Sequence, residues 1–251
     1  NEPALDAFFL GGQMTYIIVY FSGVAAGFLN ILGGGGSMIT VPVLIFLGLP
    51  PVIANGTNRI AILVETLSGT FTFKSKGYYY PQIAVTLAVP AIIGSIVGTM
   101  IAVNISDEVF NKVLGMIMLI ILMLILFRPE KKFLKDLEIL KLEGKRKHIA
   151  MVVFFFVGIY GGFIQIGVGF FMIVSLALLT GMDLIKINAL KTMIVVFYTA
   201  VALLLFAANT GVEWGIGLVL SLGNGTGAFI GSHFAVQKGE RPIRFILVIT
   251  V

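Results

Sequence analysis

The chain has 251 residues, of which 58% are apolar and only 12% charged, with a mean hydropathy of +1.05 and a formal net charge of +5. A soluble domain carries about a quarter charged residues and cannot hide so much apolar surface. Lipid is therefore the solvent for most of the chain, which excludes a cytosolic enzyme, a secreted disulfide scaffold and a disordered regulator. There is no cysteine, and the two histidines, His148 and His233, are too few and too far apart in sequence to suggest a metal centre. Cofactors are therefore expected to be none, and no metal site is predicted.

Asn1 to Gly12 carries acids without Lys or Arg and so lacks the basic start of a secretory signal. Ten hydrophobic segments follow, bounded by charges and Gly/Pro punctuation: 13–32, 37–49, 58–73, 81–103, 109–127, 148–166, 169–180, 189–208, 213–236 and 241–251. The last is cut short by the end of the chain and is expected to continue. Most are long enough to cross hydrocarbon about 30 Å thick. The exceptions are 37–49 and 169–180, which at 1.5 Å per residue cover about half a bilayer. The expected fold is an all-α polytopic membrane protein.

A polar linker at 128–148 separates a first unit, 1–127, from a second, 149–251. It holds eight Lys/Arg against four Asp/Glu, and its apolar residues recur at helical spacing, so a short surface helix is expected. The positive-inside rule makes it cytoplasmic. By alternation 74–80, 181–188 and 237–244 are also inside, and they carry Lys74, Lys76, Lys186, Lys238, Arg241 and Arg244. The outside loops 50–57, 104–108 and 209–213 contain Asp107, Glu108 and Glu213 and no Lys or Arg. Both termini fall outside. The net positive charge thus reads as loop charge that orients the chain, and no nucleic-acid partner is expected.

The two units resemble each other. GVAAGFLNILGGGG at 23–36 aligns with GIYGGFIQIGVG at 158–169, setting Gly23 by Gly158, Gly27 by Gly162 and Asn30 by Gln165. IANGTNRI at 53–60 aligns with KINALKTM at 186–193, and GSIVG at 94–98 with GAFIG at 227–231. Five segments per copy is an odd number, so the second copy enters the membrane in the opposite sense. Inverted five-segment repeats with Gly-broken short helices point to the binding site of a secondary transporter. Irregular backbone is tolerated in lipid only where it is buried or lines a cavity. A helix that starts at such a break aims free N–H groups and a positive dipole end at the cavity, which suits an anion.

The sequence GFLNILGGGGSMITVPVL, followed by ANGTNR and its degenerate second copy, resembles the TauE/SafE sulfite-exporter family, also called the toluene-sulfonate uptake permease family. The resemblance covers about 13 to 251. The first copy fits the family pattern well, with Pro42 in the short segment and Ala54, Gly56, Thr57 and Asn58 leading into the next span. The second copy departs from it, with no Pro in the short segment and Ala189-Leu190-Lys191 in place of Gly-Thr-Asn. The resemblance implies a transporter of sulfite, sulfoacetate or a related sulfonate, in the inner membrane of a prokaryote.

Charged groups inside spans are costly and are functional candidates by default. Arg59 and Lys191 sit just inside corresponding spans of the two copies, and two cations facing one cavity would suit a sulfonate or sulfite. Each also reads as an interfacial side chain that snorkels to water. The substrate-binding candidates are the break residues Asn30, Gly33, Gly34, Gly35, Gly36, Ser37, Gln165, Gly167 and Gly169, with Thr57, Asn58, Arg59, Asn188 and Lys191. Glu65, deep in its span, and His233 are the proton-coupling candidates, Glu65 also reading as a structural partner of a cation and His233 as a packed side chain. Asn224-Gly225-Thr226 marks a further irregular point. No nucleophile–base pair is evident, so an enzyme is not expected. The expectation is an exporter working by alternating access, proton-coupled, with a passive anion channel or an uptake permease as the alternatives.

Overall fold

The computed structural model describes residues 12–127 and 142–239. Among these residues the chain is entirely helical, with nine helices: α1 (Gly12–Gly33), α2 (Ser37–Phe46), α3 (Pro51–Ser75), α4 (Pro81–Asn104), α5 (Asp107–Phe127), α6 (Gly144–Phe163), α7 (Val168–Thr180), α8 (Leu184–Asn209) and α9 (Trp214–Lys238). The expected tenth segment, 241–251, and most of the basic linker lie outside the described residues. Among the described residues four stretches are long and apolar enough to cross a membrane: Met14–Gly33, Pro81–Asn104, Gly144–Phe163 and Leu184–Asn209. The chain is a multi-pass helical membrane protein.

Three helices start earlier than read in the sequence. The third helix begins at Pro51, seven residues before the expected 58. Pro51 occupies the first helical turn, where a fixed φ is already helical and the missing N–H costs nothing. The polar run Asn55, Thr57 and Asn58 therefore lies inside the helix, with its side chains bonded to other elements. The eighth helix begins at Leu184 because Asp183 caps it, accepting from the Lys186 amide at 2.9 Å. The sixth begins at Gly144, inside the stretch assigned to the linker. The ninth runs unbroken from Trp214 to Lys238, so no irregular point exists at Asn224.

The packing is crossed between the two ends of the sequence. α1 lies along α9, and α4 lies along α6; α3 packs on α9 and α8, and α8 packs on α4. Small residues let these backbones touch. A Cβ on Gly27 would sit 2.2 Å from the Asn224 carbonyl oxygen, and one on Gly227 2.1 Å from that of Val24. On the other pair, a Cβ on Gly98 would sit 1.9 Å from the Ile159 oxygen, and one on Gly158 2.2 Å from that of Ala91. Such close approach replaces a hydrophobic driving force with dispersion contact, as membrane helices require. The opposite face of α4 presents Val85, Val89, Ile93 and Val97 outward, as a lipid-facing surface would.

Candidate functional site

The two short helices are the starting point. α2 has 10 residues and α7 has 13. Each follows a helix that stops short at a break. The first break turns at Gly34, whose φ is +82°; the second turns at Gln165 and Gly167, with φ of +61° and +70°. Glycine enters this left-handed region without a Cβ penalty, whereas Gln165 adopts it at a steric cost. That conformation is held by side-chain bonds: Gln165 Oε1 accepts from Arg59 Nη1 at 3.2 Å, and its Nε2 donates to the Tyr198 hydroxyl at 3.1 Å.

The breaks meet backbone to backbone. A Cβ on Gly34 would lie 2.4 Å from the Gly169 carbonyl carbon, and one on Gly169 would lie 2.5 Å from Gly34 Cα. Nothing larger than hydrogen fits either Cα at this crossing.

Each break is gripped by a cation from the other end of the chain. Arg59 on α3 is fully buried and donates from Nη2 to the Gly162 oxygen at 2.7 Å and from Nη1 to the Gly161 oxygen at 3.0 Å. Its guanidinium carbon lies 4.7 Å above the Phe206 ring. Lys191 on α8 donates to the Asn30 and Ile31 oxygens at 2.8 and 3.2 Å. In both cases the acceptors are carbonyls of the last turn of a helix, which carry the negative end of the dipole, and the Asn30 oxygen also accepts from the Gly34 amide at 2.9 Å. Two asparagines repeat the pattern: Asn55 donates to the Phe163 oxygen at 2.9 Å, and Asn188 to the Leu32 oxygen at 3.4 Å.

Glu65 is the acid between these grips. It is buried on α3, one turn and a half beyond Arg59, and so faces another way. Its Oε1 accepts from Asn30 Nδ2 at 2.6 Å and its Oε2 from Asn224 Nδ2 at 2.7 Å. Asn30 therefore serves two masters, holding Glu65 with its side chain and Lys191 with its carbonyl. Beside them lies a cavity of about 10 Å³, the room one water takes. Its walls come from both ends of the chain: Asn30, Ile31, Ser37, Glu65 and Thr66 on one side, and Gln165, Val168, Gly169, Lys191, Thr192 and Val195 on the other.

The structure thus gathers Asn30, Ser37, Glu65, Gln165, Gly169 and Lys191 around one cavity. Arg59 reaches it only through Gln165. The remaining candidates sit elsewhere. Gly33, Gly34, Gly35, Gly36 and Gly167 form the turns without lining the cavity. Asn58 bonds the short helix α2, accepting from Thr40 at 2.7 Å and donating to Ser37 at 3.4 Å. Thr57 accepts from the Glu213 amide at 3.0 Å. Asn188 holds the end of α1, as above. His233 is half-buried near the end of α9, its ring 4.4 Å from that of Phe229 and its Nδ1 2.9 Å from the Phe229 oxygen. Among the described residues no three His, Cys, Asp or Glu side chains come together as metal ligands. Thr66, Thr192 and Val195 line the cavity unannounced by any motif. Val195 stands one turn from Lys191, where helical spacing would have found it; Thr66 and Thr192 are direct chain neighbours of the two charges, which helical spacing does not pick out.

Comparison with known proteins places the chain among membrane transporters. Residues 19–251 match the family described as "Sulfite exporter TauE/SafE". A "probable membrane transporter protein" of Haemophilus influenzae is 28% identical over 237 residues, covering 92% of this chain and 89% of that protein. The probable membrane transporter protein ORF9 of a Sinorhizobium species is 26% identical over 238 residues, covering 92% and 87%. The probable membrane transporter protein YfcA of Escherichia coli K12 is 25% identical over 250 residues, covering 97% and 89%. No solved structure matches. With the family match running over both breaks and both cationic grips, the chain belongs to the TauE/SafE sulfite-exporter family.

Proposed function

We propose that this protein is a secondary transporter that exports a small organosulfur anion, sulfite or a short sulfonate, by proton-coupled alternating access. The observation that carries the reading is the small cavity lined by one acid, Glu65, and one cation, Lys191, beside two helix breaks. A cation with an ammonium donor to spare suits the oxygens of a sulfonate or sulfite.

The architecture in this reading is two inverted copies, 1–127 and 149–251, joined by a cytoplasmic linker at 128–148. The contacts support it. The α1–α9 pair and the α6–α4 pair exchange roles if the copies are swapped. So do the Asn55 and Asn188 bonds, and so do the left-handed Gly34 and Gln165. This equivalence sets Gly27 beside Gly158, one helical turn from the pairing that the sequence alignment favours. With the loop charges read as setting both termini outside in a prokaryotic inner membrane, Arg59 lies on a helix that enters from the outer face and Lys191 on one that enters from the inner face, and both reach the breaks where these meet. Alternating access then consists of releasing one grip at a time. Flux of labelled sulfite into proteoliposomes tests the reading. Saturable exchange that is lost in Arg59→Ala supports it, and unchanged flux in that variant removes Arg59 from the account.

A further inference from the structure

The sign of the coupling follows from how Glu65 and Lys191 share the cavity. This step rests on the transporter reading above. The groups that face Glu65 are few. α1 contributes the uncharged Asn30 and α9 the uncharged Asn224. α8 contributes Lys191 and Tyr198, both of which act on Glu65 electrostatically. Arg59, on the same helix as Glu65, is turned to the carbonyls of α6 and reaches Tyr198 through Gln165.

Lys191 spends two of its three ammonium donors on the Asn30 and Ile31 carbonyls, which leaves one for the cavity. That donor is matched by the negative charge of Glu65 in the same space. The cavity has room for about one water, so any anion oxygen placed against Lys191 also lies against Glu65. Two adjacent negative charges away from water disfavour each other, and a neighbouring carboxylate responds by taking up a proton. A neutral Glu65 still accepts from one asparagine, and its new O–H can turn to the anion as a donor.

We propose that, once this cavity opens to one side, the anion and a proton occupy it together, the anion against Lys191 and the proton on Glu65, so that the two cross the membrane in the same direction. The proton enters from water on the side where the cavity opens and is released to water on the other, so nothing is consumed. Direction is set by the sum of the two gradients: an anion in large excess inside leaves with a proton, and a proton gradient directed inward carries the anion in.

The test uses the whole protein in proteoliposomes, with sulfoacetate as the probe and a pH dye trapped inside. Imposing an inward sulfoacetate gradient at equal pH should acidify the lumen, at a rate that scales with anion uptake. Apparent affinity should weaken by up to about ten-fold per unit as pH is raised, the slope of one shared proton. In Glu65→Gln, which keeps the shape of the protonated acid, the ratio of proton to anion flux should fall by about ten-fold or more. Lumen alkalinisation during anion uptake means exchange and overturns the proposal while leaving proton coupling intact. Anion uptake with no pH change overturns coupling altogether. A Glu65→Gln protein that remains monodisperse and still moves protons with the anion shows that the proton rides elsewhere, which also overturns it. Absence of sulfoacetate and sulfite flux in the wild type defeats the transporter reading itself, and the proposal with it.

Discussion

At the scale of single residues, the site is held by charged donors set on helix ends. Arg59 places a fork on two carbonyls and an amide oxygen at once. A lysine cannot reproduce that geometry, and removing the fork leaves buried acceptors unpaired. Arg59→Lys should therefore destabilise the protein by about 1–3 kcal/mol, the range for a lost charged hydrogen bond. Thermal unfolding in detergent checks this, and a melting temperature equal to the wild type would mean the fork is idle. At the crossing of the breaks there is no room for a methyl group. Gly169→Ala pushes its Cβ against the Gly34 backbone and should lower the melting temperature more than Gly215→Ala, where a Cβ meets open space. The sequence makes Arg59, Glu65 and Lys191 legible, because charges inside apolar spans stand out. It does not show what they touch. Asn30 and Asn224 meet Glu65 only because α1, α3 and α9 converge, and no local spacing encodes that convergence.

At the scale of helices, two intimate pairs organise the bundle. The α4–α6 pair depends on Gly98, where an added Cβ would lie 1.9 Å from the Ile159 oxygen of the neighbouring helix. Backbone cannot yield as a side-chain tip can, so Gly98→Ala forces the helices apart. The expected loss is about 1–3 kcal/mol, the usual cost of overpacking, read as a lower melting temperature; a neutral effect would show that the pair is looser than described. Hydropathy and glycine punctuation located every described helix, including the two short ones. They missed the true starts of α3, α6 and α8. At α3 and α8 polar residues near the start are paired across helices, and at α6 the first turn is exposed and basic; a linear reading takes both for a loop.

For the whole molecule, the charge of the connections predicts an orientation with both termini outside. The absence of native cysteine makes this directly measurable. A single cysteine at the exposed Asn209 should react with a membrane-impermeant maleimide added outside intact cells, and one at the exposed Lys76 should not. The reverse pattern would invert the topology. In the proposed cycle, the contacts of Arg59 and Lys191 to opposite breaks are the ones that release in turn around one small cavity. The most direct check is the rate of labelled sulfite exchange across proteoliposomes as its concentration is raised, in the wild type and in Lys191→Met, which keeps the side-chain bulk and removes the charge. The account predicts exchange that saturates in the wild type and falls by about ten-fold or more in the variant, the loss of roughly one charged contact to the anion. Exchange that rises linearly without saturation, or that is undiminished in Lys191→Met, would contradict it.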